Sequence, residues 1–113
     1  MRTAITHVID REANQTITIA NTKTTSNFKF TKQGILKGIA YTLNNNTNNV
    51  TSVFTITDDE GTVLYTSSAL NENTSGYINP DICLYNAEHT FTVTSADPGA
   101  SGNIITITLL IWR

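Results

Sequence analysis

The sequence predicts an all-β protein: an antiparallel β-sandwich of jelly-roll or related Greek-key type, with about eight strands. Three observations predict it. Short runs of alternating apolar and polar residues, separated by turn signals, recur at roughly 10-residue spacing. Threonine, whose β-branched side chain favours extended backbone, and asparagine, which tolerates turns, dominate the composition. Strong helix formers are too sparse to build a long amphipathic helix.

The elements follow in order. Residues 3–9 alternate Ile5, His7 and Ile9 against Ala4, Thr6 and Val8, a first strand. Asp10 to Asn14 reads as a polar break, and Gln15 to Ala20 resumes the alternation. Phe28 and Phe30 flank Lys29 in a short strand after the polar loop Asn21–Asn27. Ile35 to Leu43 is longer, with Ile35, Lys37, Ile39, Tyr41 and Leu43 assigned to one face. Gly38 and Ala40 on the other face admit close backbone approach. Asn44–Asn49 reads as a solvated loop. Val50–Thr57 and Thr62–Thr66 form a hairpin around Asp58-Asp59-Glu60-Gly61. Ser67–Gly76 reads as a long polar loop closed by Pro80, and Asp81–Tyr85 as a short strand. The closing stretch from His89 pairs an alternating run (Phe91, Val93) with Ile104–Trp112 across a Pro/Gly turn. Ile105, Ile107, Leu109 and Ile111 share one face of that last strand. Thr106 and Thr108 give way to Leu110 and Trp112 on the other, so that its end is apolar on both faces and needs a second cover.

Length and composition limit the function classes. The chain of 113 residues forms one domain, 1–113, and buries roughly 65% of its unfolded surface. Charged residues make up 14% and the formal net charge is −2. Without a basic stripe there is no nucleic-acid footprint, and no apolar run approaches the ~20 residues of a membrane span. Met1–Gln15 has no apolar h-region of a secretory signal, so synthesis in a cytoplasm is expected. The sequons at Asn14, Asn45, Asn49 and Asn73 are what a Thr/Asn-rich composition yields by chance. Cys83 has no intramolecular partner, and its setting between Ile82 and Leu84 reads as a small buried hydrophobe.

Nothing in the chain assembles into recognisable catalysis. His7 and His89 lack the spacing of a zinc site and read as surface or satisfied residues. Glu88 and His89 are neighbours on a strand and point to opposite faces, which separates them as an acid/base pair. Ser67 and Ser68 lack a nucleophile elbow. Asp58, Asp59 and Glu60 offer oxygen ligands suited to Ca²⁺ but without EF-hand spacing, and read as a solvated turn. Asp97-Pro98-Gly99 reads as a turn with no further role. Tyr77 and Tyr85 flank the Pro80 loop, either as a sugar-stacking platform or packed over the sandwich end. No catalytic residue, cofactor or metal ligand is assigned.

The segment HTFTVTSADPGASGNIITITLLI, residues 89–111, resembles the closing hairpin of small structural proteins of tailed bacteriophages. In those proteins a TFTVT strand, a Gly/Pro turn and a TVTVTL strand recur. The Thr/Asn-rich strands upstream and the run GTVLYTSSAL suit the same class. The resemblance implies a non-enzymatic virion protein, most simply a capsid decoration (cement) protein or a small neck or tail component, made in the host bacterial cytoplasm. It also implies the major capsid protein or neighbouring virion proteins as partners, and a homo-oligomer, with a trimer favoured. Leu110, Trp112, Ile5 and Val8 are the expected contact residues; an assembly indifferent to Trp112→Ala would exclude Trp112 as an anchor. The alternative reading is a carbohydrate-binding sandwich that uses the loops Asn44–Asn49 and Ser67–Gly76.

Overall fold

A computed structural model describes residues 9–85 and 87–112, with side chains from Gln15 onward. Nine strands form among the described residues: β1 (Ile9–Ile19), β2 (Thr25–Phe30), β3 (Gly34–Leu43), β4 (Ser52–Thr57), β5 (Val63–Thr66), β6 (Thr74–Ile78), β7 (Ile82–Leu84), β8 (His89–Ser95) and β9 (Asn103–Trp112). There is no helix among them, hence none long and apolar enough to cross a membrane. One sheet runs β1-β9-β3-β6, with β7 also on β3, and the other runs β2-β8-β4-β5.

The pairing is that of a jelly roll. Strands β6 and β7 pair with successive halves of β3 and act as one interrupted strand. With that count, first pairs with last (β1·β9), second with seventh (β2·β8), third with sixth (β3·β6/β7) and fourth with fifth (β4·β5). These nested antiparallel pairs wrap into two sheets that sandwich one core. The expected sandwich is therefore present, and its strand order settles on the jelly roll.

Strand periodicity builds the core. Ile105, Ile107, Leu109 and Ile111 of β9 are all fully buried, as their alternation requires. They meet Phe54, Ile56, Phe91 and Val93 from the facing sheet. Phe91 stacks on Phe28 at 5.2 Å and lies 5.2 Å from Phe54, whose ring meets Tyr41 edge-on at 5.5 Å. Each fully buried aliphatic side chain contributes roughly 1.5–3 kcal/mol relative to exposure.

Several expectations are corrected. The break at Asp10–Asn14 is instead a bulge between Glu12 and Gln15 inside the continuous strand β1; one extra residue bends a strand without ending it. Residues 3–8 lie outside the described residues. The end of the expected loop Ser67–Gly76 is instead the start of strand β6, which runs Thr74–Ile78. In β3 the pairing to β9 slips between Leu36 and Gly38. Such a slip exchanges the faces, so Leu36 is buried whereas Ile35 is 42% exposed and Lys37 points away from the core with it. Cys83 is exposed, because Ile82 and Leu84, not Cys83, take the inward positions of β7.

Candidate functional site

One outer face of the sandwich is interrupted. Between the pairs Leu36–Ile82 and Ile39–Ile78, the residues Lys37 and Gly38 of β3 stand opposite Asn79, Pro80 and Asp81. Pro80 has no N–H to give to the ladder. Asp81 instead takes a left-handed backbone, with φ of 56°, and its N–H donates to the Leu36 carbonyl at 2.9 Å. Its carboxylate then accepts from the Lys37 ammonium at 2.7 Å. The ammonium lies 4.8 Å from the centroid of the Trp112 ring. Tyr77, across the ladder from Ala40, lays its ring over Gly38, where any Cβ would collide with it. Lys37, Tyr77, Asn79, Asp81 and Trp112 thus line a groove of about 460 Å³.

Of the four expected contact residues, Leu110 and Trp112 share this outer face, both half-buried. Ile5 and Val8 lie outside the described residues, as does His7. Sequence reasoning missed Lys37, Asn79 and Asp81. A lysine at a supposedly inward position of β3, followed by glycine, was the available sign of the bulge.

The other candidates sit apart from the groove. His89 is fully buried, between Phe30 at 5.6 Å and Tyr85 at 5.1 Å, and neither ring nitrogen has a hydrogen-bond partner. It is thus neither a surface nor a satisfied residue. Glu88 points outward, 3.5 Å from the Lys29 ammonium, so the two neighbours do occupy opposite faces. Ser67 accepts from the Phe54 N–H at 2.9 Å and donates to the Ser68 carbonyl at 2.7 Å, a structural role.

Asp58 is buried rather than solvated. One carboxylate oxygen accepts the N–H groups of Glu60 (3.0 Å) and Thr62 (2.8 Å), and the other accepts the Tyr85 hydroxyl. The Tyr85 bond, then the backbone donors, hold the Asp58 carboxyl below its ordinary value against the opposing effect of burial. The Tyr85 phenol is pushed up to about 12, chiefly by the same bond. With both oxygens engaged, Asp58 has little to offer a cation. No group of three or more metal-ligating side chains occurs among the described residues. Tyr85 therefore does not join Tyr77 in a platform; the two rings serve different places.

The polar loops are occupied with each other. Asn46 is buried; its side chain accepts the Val50 N–H at 2.9 Å and donates to the Val50 carbonyl at 3.2 Å, while its own N–H donates to Glu72 at 2.8 Å. Thr47 and Ser101 exchange two hydrogen bonds, and Asn44 bonds Gly102 and Ile104. Asp97 accepts from Gly99 and Thr22, both at 2.9 Å, and these bonds lower its carboxyl below the ordinary value. The Asp97-Pro98-Gly99 turn thus ties loops together, a role beyond turning the chain. The side chains of Asn44, Asn46 and Asn48 already bond within this end of the sandwich, as does Glu72.

Fold and groove together define a jelly-roll β-sandwich with an aromatic and polar groove on one outer face. No family model matches the sequence, and no curated protein matches it. Among solved structures the chain is similar to TmCBM61 in complex with β-1,4-galactotriose, with 9% identity, a TM-score of 0.49, and coverage of 95% of this chain and 87% of that one. It is also similar to the structure of infectious bursal disease virus, Gx strain, with 13% identity, a TM-score of 0.36, and coverage of 97% of this chain and 32% of that one. These likenesses concern the sandwich architecture, and a shared fold carries no function by itself.

Proposed function

We propose that the chain is a non-enzymatic structural protein of a tailed bacteriophage virion: a capsid decoration protein that binds the capsid lattice and stabilises it through protein–protein contacts. The observation that carries this reading is the place of the closing segment, whose two strands do not pair as the expected hairpin but enter different sheets. The segment that resembles phage structural proteins supplies β8 and β9, and each is an inner strand of its sheet. The resemblance therefore lies on the part that organises the whole sandwich. A protein that binds only the assembled lattice stabilises it by mass action, about 2.7 kcal/mol at a hundredfold excess over Kd.

Attachment uses the edge strand β1, which pairs with β9 on one side only, together with Ile5 and Val8 upstream. Leu110 and Trp112 are further contact candidates. The bulge in β1 discourages indiscriminate edge-to-edge pairing and leaves a geometry-specific partner. A symmetric homo-oligomer, a trimer by preference, matches such a lattice. The test is mass spectrometry of density-purified particles from the bacterial strain that encodes the chain. The chain is expected at a fixed copy number relative to the major capsid protein, and particles lacking it should lose their DNA at lower temperature. Its absence from purified particles would overturn the reading.

A further inference from the structure

The groove on the outer face of the five-stranded sheet has the chemistry of a ligand site. Its volume, about 460 Å³, falls in the roughly 300–1,000 Å³ range of small-molecule sites. Tyr77 is 54% exposed, a large aromatic surface left in water. Its ring lies over the backbone at Gly38, in space that a Cβ there would occupy. A flat, exposed aromatic face suits the axial C–H groups of a pyranose ring.

Among the polar groups, the Lys37–Asp81 pair is held in place by hydrogen bonds. Asp81 is held by its own N–H bond to Leu36 and by Lys37, and its left-handed backbone marks a conformation that the surroundings must maintain. Its second carboxylate oxygen accepts, the Asn79 amide both donates and accepts, and the Lys37 ammonium has three N–H groups of which Asp81 takes one. Mixed donors and acceptors beside an aromatic face are what vicinal hydroxyls require. The charges decide the class further. Lys37 is answered by Asp81 at 2.7 Å, so the groove presents no net cationic charge to a phosphate, a sulfate or an acidic sugar.

We propose that the groove formed by Lys37, Tyr77, Asn79, Asp81 and Trp112 binds a neutral saccharide, with the Tyr77 ring as its stacking platform and Asp81, Asn79 and Lys37 as partners of its hydroxyls.

Trp112 is the sole tryptophan of the chain and borders the groove, so its fluorescence reports on this site alone. The experiment titrates the full chain with neutral trisaccharides built from glucose, galactose, mannose, xylose or N-acetylglucosamine, and with a sialylated trisaccharide as the charged control. At least one neutral trisaccharide is expected to give a saturable change in Trp112 emission. Tyr77→Ala should weaken that binding at least tenfold, Tyr77→Phe should retain it, and the melting temperature should be unchanged. Should Tyr77→Ala fail to fold, the exposed Asn79→Ala gives the same reading, with an expected loss of several-fold. No saturable change with any neutral trisaccharide, tighter binding of the sialylated one, or binding indifferent to the groove variants would overturn the proposal.

Discussion

The Tyr85 hydroxyl donates to the Asp58 carboxylate, joining the residue that follows β7 in one sheet to the residue that follows β4 in the other. Asp58 also caps its own turn through Glu60 and Thr62. One carboxylate thus shapes the β4–β5 hairpin and ties it across the end of the sandwich.

That bond gives the stability a pH profile. The Asp58 carboxyl is lowered in the folded chain from an ordinary value of 3.8. Its contribution is present in full above the unfolded value and is lost as pH falls through the folded one. The Tyr85 phenol is raised from 10.0 to about 12, so its contribution is present below 10.0 and is lost as pH rises towards 12. Melting temperatures of the wild type should fall below about pH 4 and again above about pH 10. Tyr85→Phe should shrink both limbs, leaving an alkaline remainder from Tyr65, whose phenol is also raised, by burial. Asp58→Asn should shrink the acid limb and leave a residue from Asp97, whose carboxyl is lowered too. An acid limb unchanged in Asp58→Asn would contradict the assignment.

His89 should be better replaced than kept. It is fully buried, with both ring nitrogens lacking partners, and such groups keep the cost of leaving water. His89→Phe places an apolar ring between Phe30 and Tyr85 and is expected to stabilise the fold by about 1–3 kcal/mol. Chemical denaturation checks it; a destabilised variant would mean that a nitrogen is satisfied by a bound water or that the site is too tight for the larger ring.

Asn46 carries the opposite expectation. Its amide satisfies both the N–H and the carbonyl of Val50 from a buried position. Asn46→Ala should therefore cost about 1–3 kcal/mol, whereas Asn45→Ala, at the exposed neighbour, should fall within about 0.5 kcal/mol. Urea midpoints of the two variants make the comparison. Equal midpoints would show that the loop is held by its other bonds.

What was legible in the sequence, and what was not, divides along the local rule that operates at each residue. Alternation is a property of the chain itself, so the inward set Ile105, Ile107, Leu109 and Ile111 could be read directly, as could the Phe91 and Val93 strand that pairs with β2 and β4. Lys37 was misassigned because a bulge changes the period without changing the composition around it. Strand β6, Thr-Ser-Gly-Tyr-Ile, carries almost no apolar alternation; its place is set by pairing with β3, a tertiary fact. The groove inherits both failures, since it exists where β3 bulges and β6 and β7 part. The mutual bonding of the Asn-rich loops is likewise invisible in sequence, because the partners Thr47 and Ser101 stand 54 residues apart.

Cys83 should react while the protein is folded. Its side chain is exposed on β7, opposite Ile35. Ellman's reagent is expected to titrate one thiol per chain under native conditions, at a rate that denaturant raises only modestly. A thiol that reacts only after unfolding would place Cys83 inward and shift the register of β7 by one residue, which would also expose Leu84.

The closure of β3 against β9 depends on Gly34. Its backbone has a φ of 128°, and a Cβ there would collide with the Trp112 carbonyl oxygen. The obstacle is backbone, so no rotamer change relieves it. Gly34→Ala must either accept the strained backbone, at about 1–3 kcal/mol, or open the register in which Gly34 faces Leu84 and Ile35 faces Trp112. The second outcome would move Trp112 and disturb the groove. A melting-temperature drop with unchanged Trp112 emission would indicate strain absorbed in place; a drop with altered emission would indicate local opening of the β3–β9 end. Full stability of Gly34→Ala would contradict the close approach of Gly34 to Trp112.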